Sequence, residues 1–175
     1  MSVTVRSIVG AFEVLYDALF DGDFRKTYRF HEFSERELLP FARMFLLGWF
    51  GSVAPELQSK LAGCLTGQGR IDFVVGGIAV EFAVRRPSDR KAALSEVTNS
   101  TEIKKLLQFD GRAVLVLFDL SASPFDEHDL ARYRTWPSLG RGNHKRSAFN
   151  VAYFCRDPST VTGARVITMN ISPNR

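Results

Sequence analysis

Hydrophobic residues near the N-terminus recur at intervals of three and four positions over residues 5–20. This spacing places them on one side of an α-helix and predicts an amphipathic helix with a single buried face. A second helix is predicted to begin after Ser34, because Ser34 and Glu37 have the spacing of a capping box. A short third helix is predicted over residues 55–65, where Pro-Glu opens a run that ends at a Thr-Gly-Gln-Gly break.

The middle of the chain changes to a pattern typical of β-strands. Residues 69–85, GRIDFVVGGIAVEFAVR, consist of two β-rich runs on either side of Gly76-Gly77, and paired glycines predict a two-residue hairpin turn. A helical region is predicted over residues 88–109, with a break near residues 98–101. The continuous apolar run AVLVLF, residues 113–118, is typical of a strand covered on both faces.

The C-terminal part predicts one more helix and two more strands. Ser123 followed by Pro124 has the pattern of a helix start, and strands are predicted near residues 149–154 and 165–171. The whole order predicts one α/β domain with a mixed central β-sheet flanked by helices, over residues 1–175. Its predicted parts are N-terminal helices in 1–66, a core in 69–119, and a basic loop with C-terminal strands in 120–175.

The glycine turn also determines which residues of the hairpin face each other. With Gly76 and Gly77 in the turn, opposed residues have numbers that sum to 153, so Asp72 faces Glu81. One predicted face is entirely apolar, and the other holds Arg70, Asp72, Val74, Ala79, Glu81, Ala83 and Arg85; the apolar face holds Ile71, Phe73, Val75, Ile78, Val80, Phe82 and Val84.

Two opposed carboxylates, with Cβ atoms roughly 4.5–5.5 Å apart, repel each other unless a cation, a shared proton or solvent intervenes. A Mg²⁺ ion held by Asp72 and Glu81 together with water and a substrate phosphate would remove the repulsion. A salt-bridge network with Arg70 or Arg85 would do so as well. The geometry alone leaves both interpretations open.

This arrangement resembles the PD-(D/E)XK nuclease superfamily. In that superfamily an aspartate on one strand is followed by a turn, by Glu-x-Lys on the next strand, and then by a helix and a further strand. Here RID (residues 70–72) corresponds to the first half and VEFA (residues 80–83) to the second, and the helix with Lys104, Lys105 and Gln108 and the strand 113–118 follow. The resemblance covers residues 69–119 and implies a restriction-endonuclease-like core.

The resemblance also implies a chemistry. Asp72 and Glu81 would ligate Mg²⁺ or Mn²⁺ together with the backbone carbonyl of Phe82, and the ion would acidify a bound water that attacks a phosphodiester. The implied function is that of a divalent-metal-dependent nuclease, with DNA preferred over RNA. The lysine of the motif would stand at residue 83, beside Glu81, and would stabilise the transition state.

Residue 83 is alanine, and three explanations remain open. The lysine could have been replaced, which would leave an inactive protein that still holds its substrate. The cation could come from elsewhere, namely from Arg85, Lys91, Lys104 or Lys105. The domain could instead be a non-catalytic descendant of a nuclease that binds nucleic acid or a protein without cutting.

Some members of the superfamily carry a further acid on a helix before the first strand. Glu37 and Glu56 are the candidates here, with Glu35 a weaker one, although helix capping accounts for Glu37 and a first helical turn for Glu56. The run Asp126-Glu-His-Asp129 looks like a metal cluster, but a helix start explains its acids.

Basic residues suggest where a nucleic acid would bind. The net charge is +4, and the chain has no acidic residue between Asp129 and Asp157 but six arginines and lysines, with Tyr133 and Trp136 among them. Such a loop could hold a phosphate backbone or stack on a base. The predicted nucleic-acid contacts are Arg70, Arg85, Lys105, Gln108, Arg141, Lys145 and Arg146.

The remaining sequence features concern the surroundings of the protein. The two cysteines lie far apart and outside any metal-binding motif, which favours buried thiols in a reducing compartment, and a cytoplasmic location is expected. The hydrophobic segment 38–50 is too short to span a bilayer and contains Arg43. It is expected to be a buried helix or the contact surface of a homodimer or larger assembly.

Overall fold

The computed structural model describes residues 2–59, 69–134, 147–156 and 163–172. Within these ranges lie the helices α1 (Val5–Ala18), α2 (Gly22–Thr27), α3 (Glu35–Phe50), α4 (Ser100–Gln108) and α5 (Glu127–Ala131). Short 3₁₀ turns occur at Phe30–Glu32, Lys91–Leu94 and Arg132–Arg134. None of the helices in the described part of the chain is long and apolar enough to cross a membrane.

Six strands form one mixed sheet in which the spatial order follows the chain order. They are β1 (Ala54–Ser59), β2 (Gly69–Val75), β3 (Ile78–Arg85), β4 (Ala113–Asp119), β5 (Phe149–Arg156) and β6 (Ala164–Ile171). The central strands β3, β4 and β5 pair in parallel, whereas β1, β2 and β6 are antiparallel to their neighbours. The predicted α/β fold with a mixed sheet flanked by helices is therefore confirmed.

Helices cover both faces of the sheet and divide the core in two. On one face, α1 and α3 pack against alternating residues of β2 to β5, with Phe82 and Phe118 at the centre. On the other face, α4 and α5 pack over a second apolar cluster that includes Ala83, Leu115 and Leu117. All seven residues of β4 are buried, as expected for a central parallel strand.

Several local predictions hold in the structure. The helix predicted over residues 5–20 is α1, and the strands predicted near 113–118, 149–154 and 165–171 are β4, β5 and β6. The capping box at the start of α3 is present, because the Glu37 carboxylate accepts hydrogen bonds from the Ser34 N–H at 2.7 Å and from the Ser34 hydroxyl at 2.6 Å. Of the helical region predicted over residues 88–109, only Ser100–Gln108 forms an α-helix; a 3₁₀ turn at Lys91–Leu94 and further turns precede it.

Two predicted helix starts are wrong. The segment predicted to be helical from Pro55 forms the strand β1 up to Ser59, so residues 1–66 are not only helical. β1 is an edge strand, and an edge strand tolerates proline because one side of its backbone needs no partner. The helix predicted from Ser123 begins instead after Asp126, whose carboxylate accepts the Asp129 N–H at 2.9 Å.

The hydrophobic segment 38–50 lies in α3 and is only partly buried. Leu38, Ala42 and Leu46 face the core, while Met44 and Trp49 are exposed by 70% and 53%. The exposed side of α3 is compatible with the predicted contact between copies of the chain, which stays a prediction.

Candidate active site

The hairpin that carries the two predicted acids has the expected turn. Gly76 and Gly77 both have positive φ angles, 56° and 78°, a conformation that glycine adopts without strain. Phe73 pairs with Val80, and Val75 with Ile78, so the predicted register is confirmed next to the turn.

The strands β2 and β3 pair from the turn as far as Phe73 and Val80, and Asp72 comes next. Its carboxylate accepts the backbone N–H of Phe82 at 2.9 Å, so a side chain replaces a backbone partner there. Because the N–H and C=O of a residue in an extended strand point to the same side, the Phe82 carbonyl also faces the strand of Asp72. Ile71, predicted on the face of Phe73, packs instead in the cluster under α4, although both residues pair with β1.

Glu81 is buried in the middle of β3, with only 1% of its side chain exposed. Its Oε2 accepts a hydrogen bond from the Lys105 ammonium at 3.1 Å, whereas its Oε1 has no hydrogen-bond partner among the described residues. Burial, and after it the charge of Asp72, raises the pKa of Glu81 to about 9. Without a further cation, Glu81 therefore holds a proton at neutral pH.

Asp72 is half-buried beside Glu81. Burial raises its pKa, while the hydrogen bond from the Phe82 N–H and the charge of Lys105 act in the opposite direction. The Glu81 side chain also acts on the pKa of Asp72, and the charge of Asp72 raises the pKa of Glu81, so the two carboxyl groups lie near each other. The predicted closeness of the two acids is thus present in the structure.

Two more acids, Glu35 and Glu102, belong to this group. We call Glu35, Asp72, Glu81, Glu102 and Lys105 the acidic site. Glu102 lies one helical turn before Lys105, with its carboxylate 4.0 Å from the ammonium. Glu102 was not among the predicted site residues, although its spacing of three from Lys105 puts both on one side of α4.

Glu35 is the helix acid that reaches the acidic site. Partial desolvation, and then the charges of Asp72 and Glu102, raise its pKa to about 7. Because Glu35 is exposed to solvent, we expect screening to reduce this shift. Glu37 caps α3 and is exposed, so it does not take the role predicted for it, while the side chain of Glu56 lies outside the described residues.

The acidic site has the donor set that a hard divalent ion prefers. In the described part of the chain, the buried Oε1 of Glu81 has no hydrogen-bond partner. The four carboxylates of the acidic site share the single ammonium of Lys105. A bound cation would give Oε1 a partner and balance the excess negative charge. Over the same residues, no three acids of this site have ligand atoms within 4.8 Å of one another. Asp72 and Glu81 would therefore hold the ion with the Phe82 carbonyl, water and substrate, as Mg²⁺ sites commonly do.

A tighter group of possible ligand atoms, Asp126, His128 and Asp129, occurs elsewhere. Asp126 and Asp129 form the capping box of α5, and Lys91 pairs with both carboxylates. The helix-start explanation of these acids accounts for their positions, and Lys91 is engaged there and not at the acidic site.

Ala83 lies on the same side of β3 as Glu81, where the motif lysine would stand. It is 3% exposed and belongs to the apolar cluster beneath α4. A lysine in this position would have to carry its ammonium out of an apolar surrounding. The ammonium that does contact Glu81 comes from Lys105 on α4.

Arg85 does not take either role suggested for it. Its side chain is 1% exposed and pairs with the buried Asp119, with Nε 2.9 Å from Oδ1. It also donates to the Ser121 hydroxyl and the Ser123 carbonyl, and its guanidinium lies over the Phe125 ring. A buried and paired arginine can neither replace the lysine at Glu81 nor contact a nucleic acid on the surface.

The other predicted nucleic-acid contacts differ in their exposure. Arg70 is exposed on β2, and Gln108 is half-buried in the last turn of α4. Tyr133, expected to stack on a base, is fully buried and donates its hydroxyl to the Leu94 carbonyl. Arg141, Lys145, Arg146 and Trp136 lie outside the described residues.

We compared the chain with protein-family models, with curated proteins and with solved structures, and none of them matches it. The resemblance to the PD-(D/E)XK nucleases therefore rests on the residues themselves, and the case for a function rests on the acidic site.

Proposed function

We propose that this protein is a divalent-metal-dependent nuclease that hydrolyses phosphodiester bonds of nucleic acid, with Lys105 in the role of the motif lysine. One observation carries the proposal. The buried carboxylate of Glu81 has one oxygen without a partner among the described residues and the other 3.1 Å from the Lys105 ammonium. DNA is preferred over RNA only because of the superfamily resemblance. The ion proposed is Mg²⁺ or Mn²⁺.

The residues of the site would divide the work. Asp72 and Glu81, with the Phe82 carbonyl, would hold the ion, which supplies an activated water and neutralises charge on the phosphate. Lys105 would donate hydrogen bonds to the phosphate oxygens as negative charge develops on them. Its position beside Glu81 lets it move between the carboxylate and a substrate without a change of the backbone.

A non-catalytic binding module is the alternative, and Ala83 is the observation that favours it. Catalysis by this chain requires that Lys105 on α4 take the place of the motif lysine that is missing at residue 83. The alternative requires that the acids remain near each other for another reason, such as the hydrogen bond from the Phe82 N–H to Asp72.

Cleavage of plasmid DNA, single-stranded DNA and RNA with Mg²⁺ or Mn²⁺ tests the proposal. Lys105→Met is expected to lower the rate about 100-fold or more, as removal of a transition-state donor does elsewhere. Lys104→Met is the matched control, because Lys104 is the neighbouring residue and is exposed on α4. Its rate is expected to stay within about twofold of the unaltered protein.

Ala83→Lys separates the explanations of the missing lysine. If Lys105 has taken over, a second ammonium at residue 83 adds no activity. If the chain is inactive because the lysine was replaced, Ala83→Lys gains cleavage where the unaltered protein has none. Absence of cleavage by both proteins, together with no Mg²⁺ or Mn²⁺ binding by calorimetry, would refute the nuclease proposal.

A further inference from the structure

A second surface, close to the acidic site along α3, has the features of a platform for nucleic-acid bases. Residues 21–29 are all exposed, and they include Phe24 and Tyr28, each with half of its surface open to solvent. Phe41, on the first half of α3, is 42% exposed and contacts the buried Phe30, which Phe24 and Tyr28 also contact. We call Phe24, Tyr28 and Phe41 the aromatic patch.

The rings of the aromatic patch are held in place from below. Tyr28 stacks on Phe30 with ring centres 5.2 Å apart and an interplanar angle of 26°, and Phe24 lies 5.9 Å from Phe30. Phe30 itself is 8% exposed and also contacts Phe33. Phe30 therefore covers one face of the Tyr28 ring. Because half of Tyr28 is exposed, the other face of the ring is open to a ligand.

Cations alternate with these rings along the chain, in the order Phe24-Arg-Lys-Thr-Tyr28-Arg29. Lys26 pairs with Asp23 at 2.9 Å and Arg29 with Glu32 at 3.5 Å, with both basic side chains more than three-quarters exposed. Exposed ion pairs of this kind contribute about 0–1 kcal/mol, so phosphate groups can replace the carboxylates. Exposed rings interleaved with exposed cations are the combination that binds unpaired nucleotides.

The patch and the acidic site share the first half of α3. Phe33, which contacts Phe30, precedes the cap residue Ser34, and Glu35 of the acidic site is the first residue of α3. Phe41 follows Glu35 by six residues, which is a rise of about 9 Å along the helix. A strand that stacks on the patch can therefore extend to the acidic site within a few nucleotides.

We infer that the aromatic patch binds unpaired nucleotides by stacking, so that the substrate of the acidic site is single-stranded nucleic acid or a duplex with a single-stranded segment. The choice of ligand rests on the proposed function. The stacking itself needs no metal and no cleavage, so it can be tested separately.

Binding of fluorescein-labelled oligonucleotides, measured by anisotropy in EDTA, tests the inference. Single-stranded DNA and RNA of about 15 nucleotides and a blunt duplex of the same length are compared. We expect the single strands to bind at least tenfold more tightly than the duplex, and the DNA and RNA arms show which sugar is preferred.

Two substitutions of Tyr28 distinguish stacking from general hydrophobic contact. Tyr28→Leu is expected to weaken single-strand binding roughly five- to 150-fold, the range found when one stacked ring is removed, while Tyr28→Phe retains binding within about twofold. Trp49→Leu is the matched control, because Trp49 is also half-exposed and stacked on one neighbour, Phe45, but lies at the other end of α3.

A paired substitution of the cations tests whether they bind phosphate groups. Arg25→Ala with Lys26→Ala is expected to make the dependence of log K on log salt shallower by about 0.7 for each phosphate group that is no longer neutralised. Arg165→Ala, at an exposed position on β6, is expected to leave it unchanged.

Equal binding of single strand and duplex, or of Tyr28→Leu and the unaltered protein, would overturn the inference. So would a change in sedimentation in Tyr28→Leu without a change in binding, because the patch would then be a contact between copies of the chain. Single-strand binding without cleavage in Mg²⁺ would support the patch and count only against the proposed nuclease.

Discussion

Glu81 and Arg85 lie four residues apart on β3, and the fold surrounds these two buried charges differently. Arg85 faces one carboxylate, Asp119, which also accepts a hydrogen bond from the Tyr153 hydroxyl. One nitrogen of Arg85, Nη1, lacks an acceptor among the described residues, yet the charge is balanced by Asp119. Within the same ranges, Glu81 instead faces further acids and a single ammonium. The first pair is neutral within the fold, and the second group needs a cation from outside.

The contrast separates a structural charge from a functional one. A buried charge that is paired inside the chain strengthens the fold only while both partners are present. A buried acid without a counter-charge in the chain has to bind a proton or a cation, and this requirement lowers stability at neutral pH until a cation binds. Substitutions at the two positions should therefore change stability in opposite directions.

The largest effect is expected for Asp119→Asn. Loss of this charge leaves Arg85 buried without a counter-ion, and we expect the free energy of unfolding in urea to fall by about 3–5 kcal/mol. Asp17→Asn, at an exposed position of α1, serves as the control and should stay within about 0.5 kcal/mol. A decrease below about 1 kcal/mol for Asp119→Asn would show that the pair is not structural.

Glu81→Gln is expected to have the opposite sign. Without metal at pH 8, Glu81 must take up a proton on folding, a cost that the neutral glutamine does not carry, so we expect a gain of about 1–3 kcal/mol in unfolding free energy. The stabilisation that Mg²⁺ gives the unaltered protein, seen as a rise in Tm, should disappear in the variant. A destabilised Glu81→Gln protein would mean that its contact with Lys105 is structural, like the pair at Arg85.

The pH dependence of the metal-free protein follows from the raised pKa of Glu81. Between its ordinary value of 4.5 and about 9, the folded state binds more protons than the unfolded state, so stability falls as the pH rises. We expect Tm to drop by a few degrees from pH 5 to pH 9, about 1 kcal/mol or more. Saturating Mg²⁺ or Glu81→Gln should flatten this part of the profile; a flat profile without either would contradict the pKa.

The smallest effect is expected for Glu35→Gln. Removal of one exposed charge from the acidic site should weaken Mg²⁺ binding about two- to tenfold in calorimetry. Glu37→Gln is a close control on the same helix, because glutamine retains the capping box with Ser34. Equal affinities of the two variants would remove Glu35 from the site.

Local patterns allowed most of the fold to be predicted, because they reflect local physics. The period of residues 5–20, the glycine turn and the apolar run of β4 each specify an element through contacts near in sequence. The strand from Ala54 to Ser59 could not be predicted in this way, since its conformation depends on pairing with β2, which follows later in the chain.

The sequence allowed the central pair of the acidic site, Asp72 and Glu81, to be predicted, but not the way in which its outer residues join them. The turn specified that Asp72 and Glu81 approach each other, because register follows from turn geometry. The contributions of Glu35 and Lys105 depend on how α3 and α4 pack on opposite faces of the sheet. The same packing buries Arg85 and Tyr133, whose basic and aromatic character alone suggested surface contacts.

The hydrogen bond from the Phe82 N–H to the Asp72 carboxylate bears on which changes the chain can tolerate during evolution. Asparagine at residue 72 would still accept that bond, and it would do so without the repulsion between two acids. A chain selected only to keep the hairpin would therefore lose nothing by exchanging aspartate for asparagine. Under the proposed function, position 72 must also bind the metal ion. In a library of variants, a loss with alanine but not with asparagine would measure the constraint from the hairpin, and a loss with both would measure the constraint from ion binding.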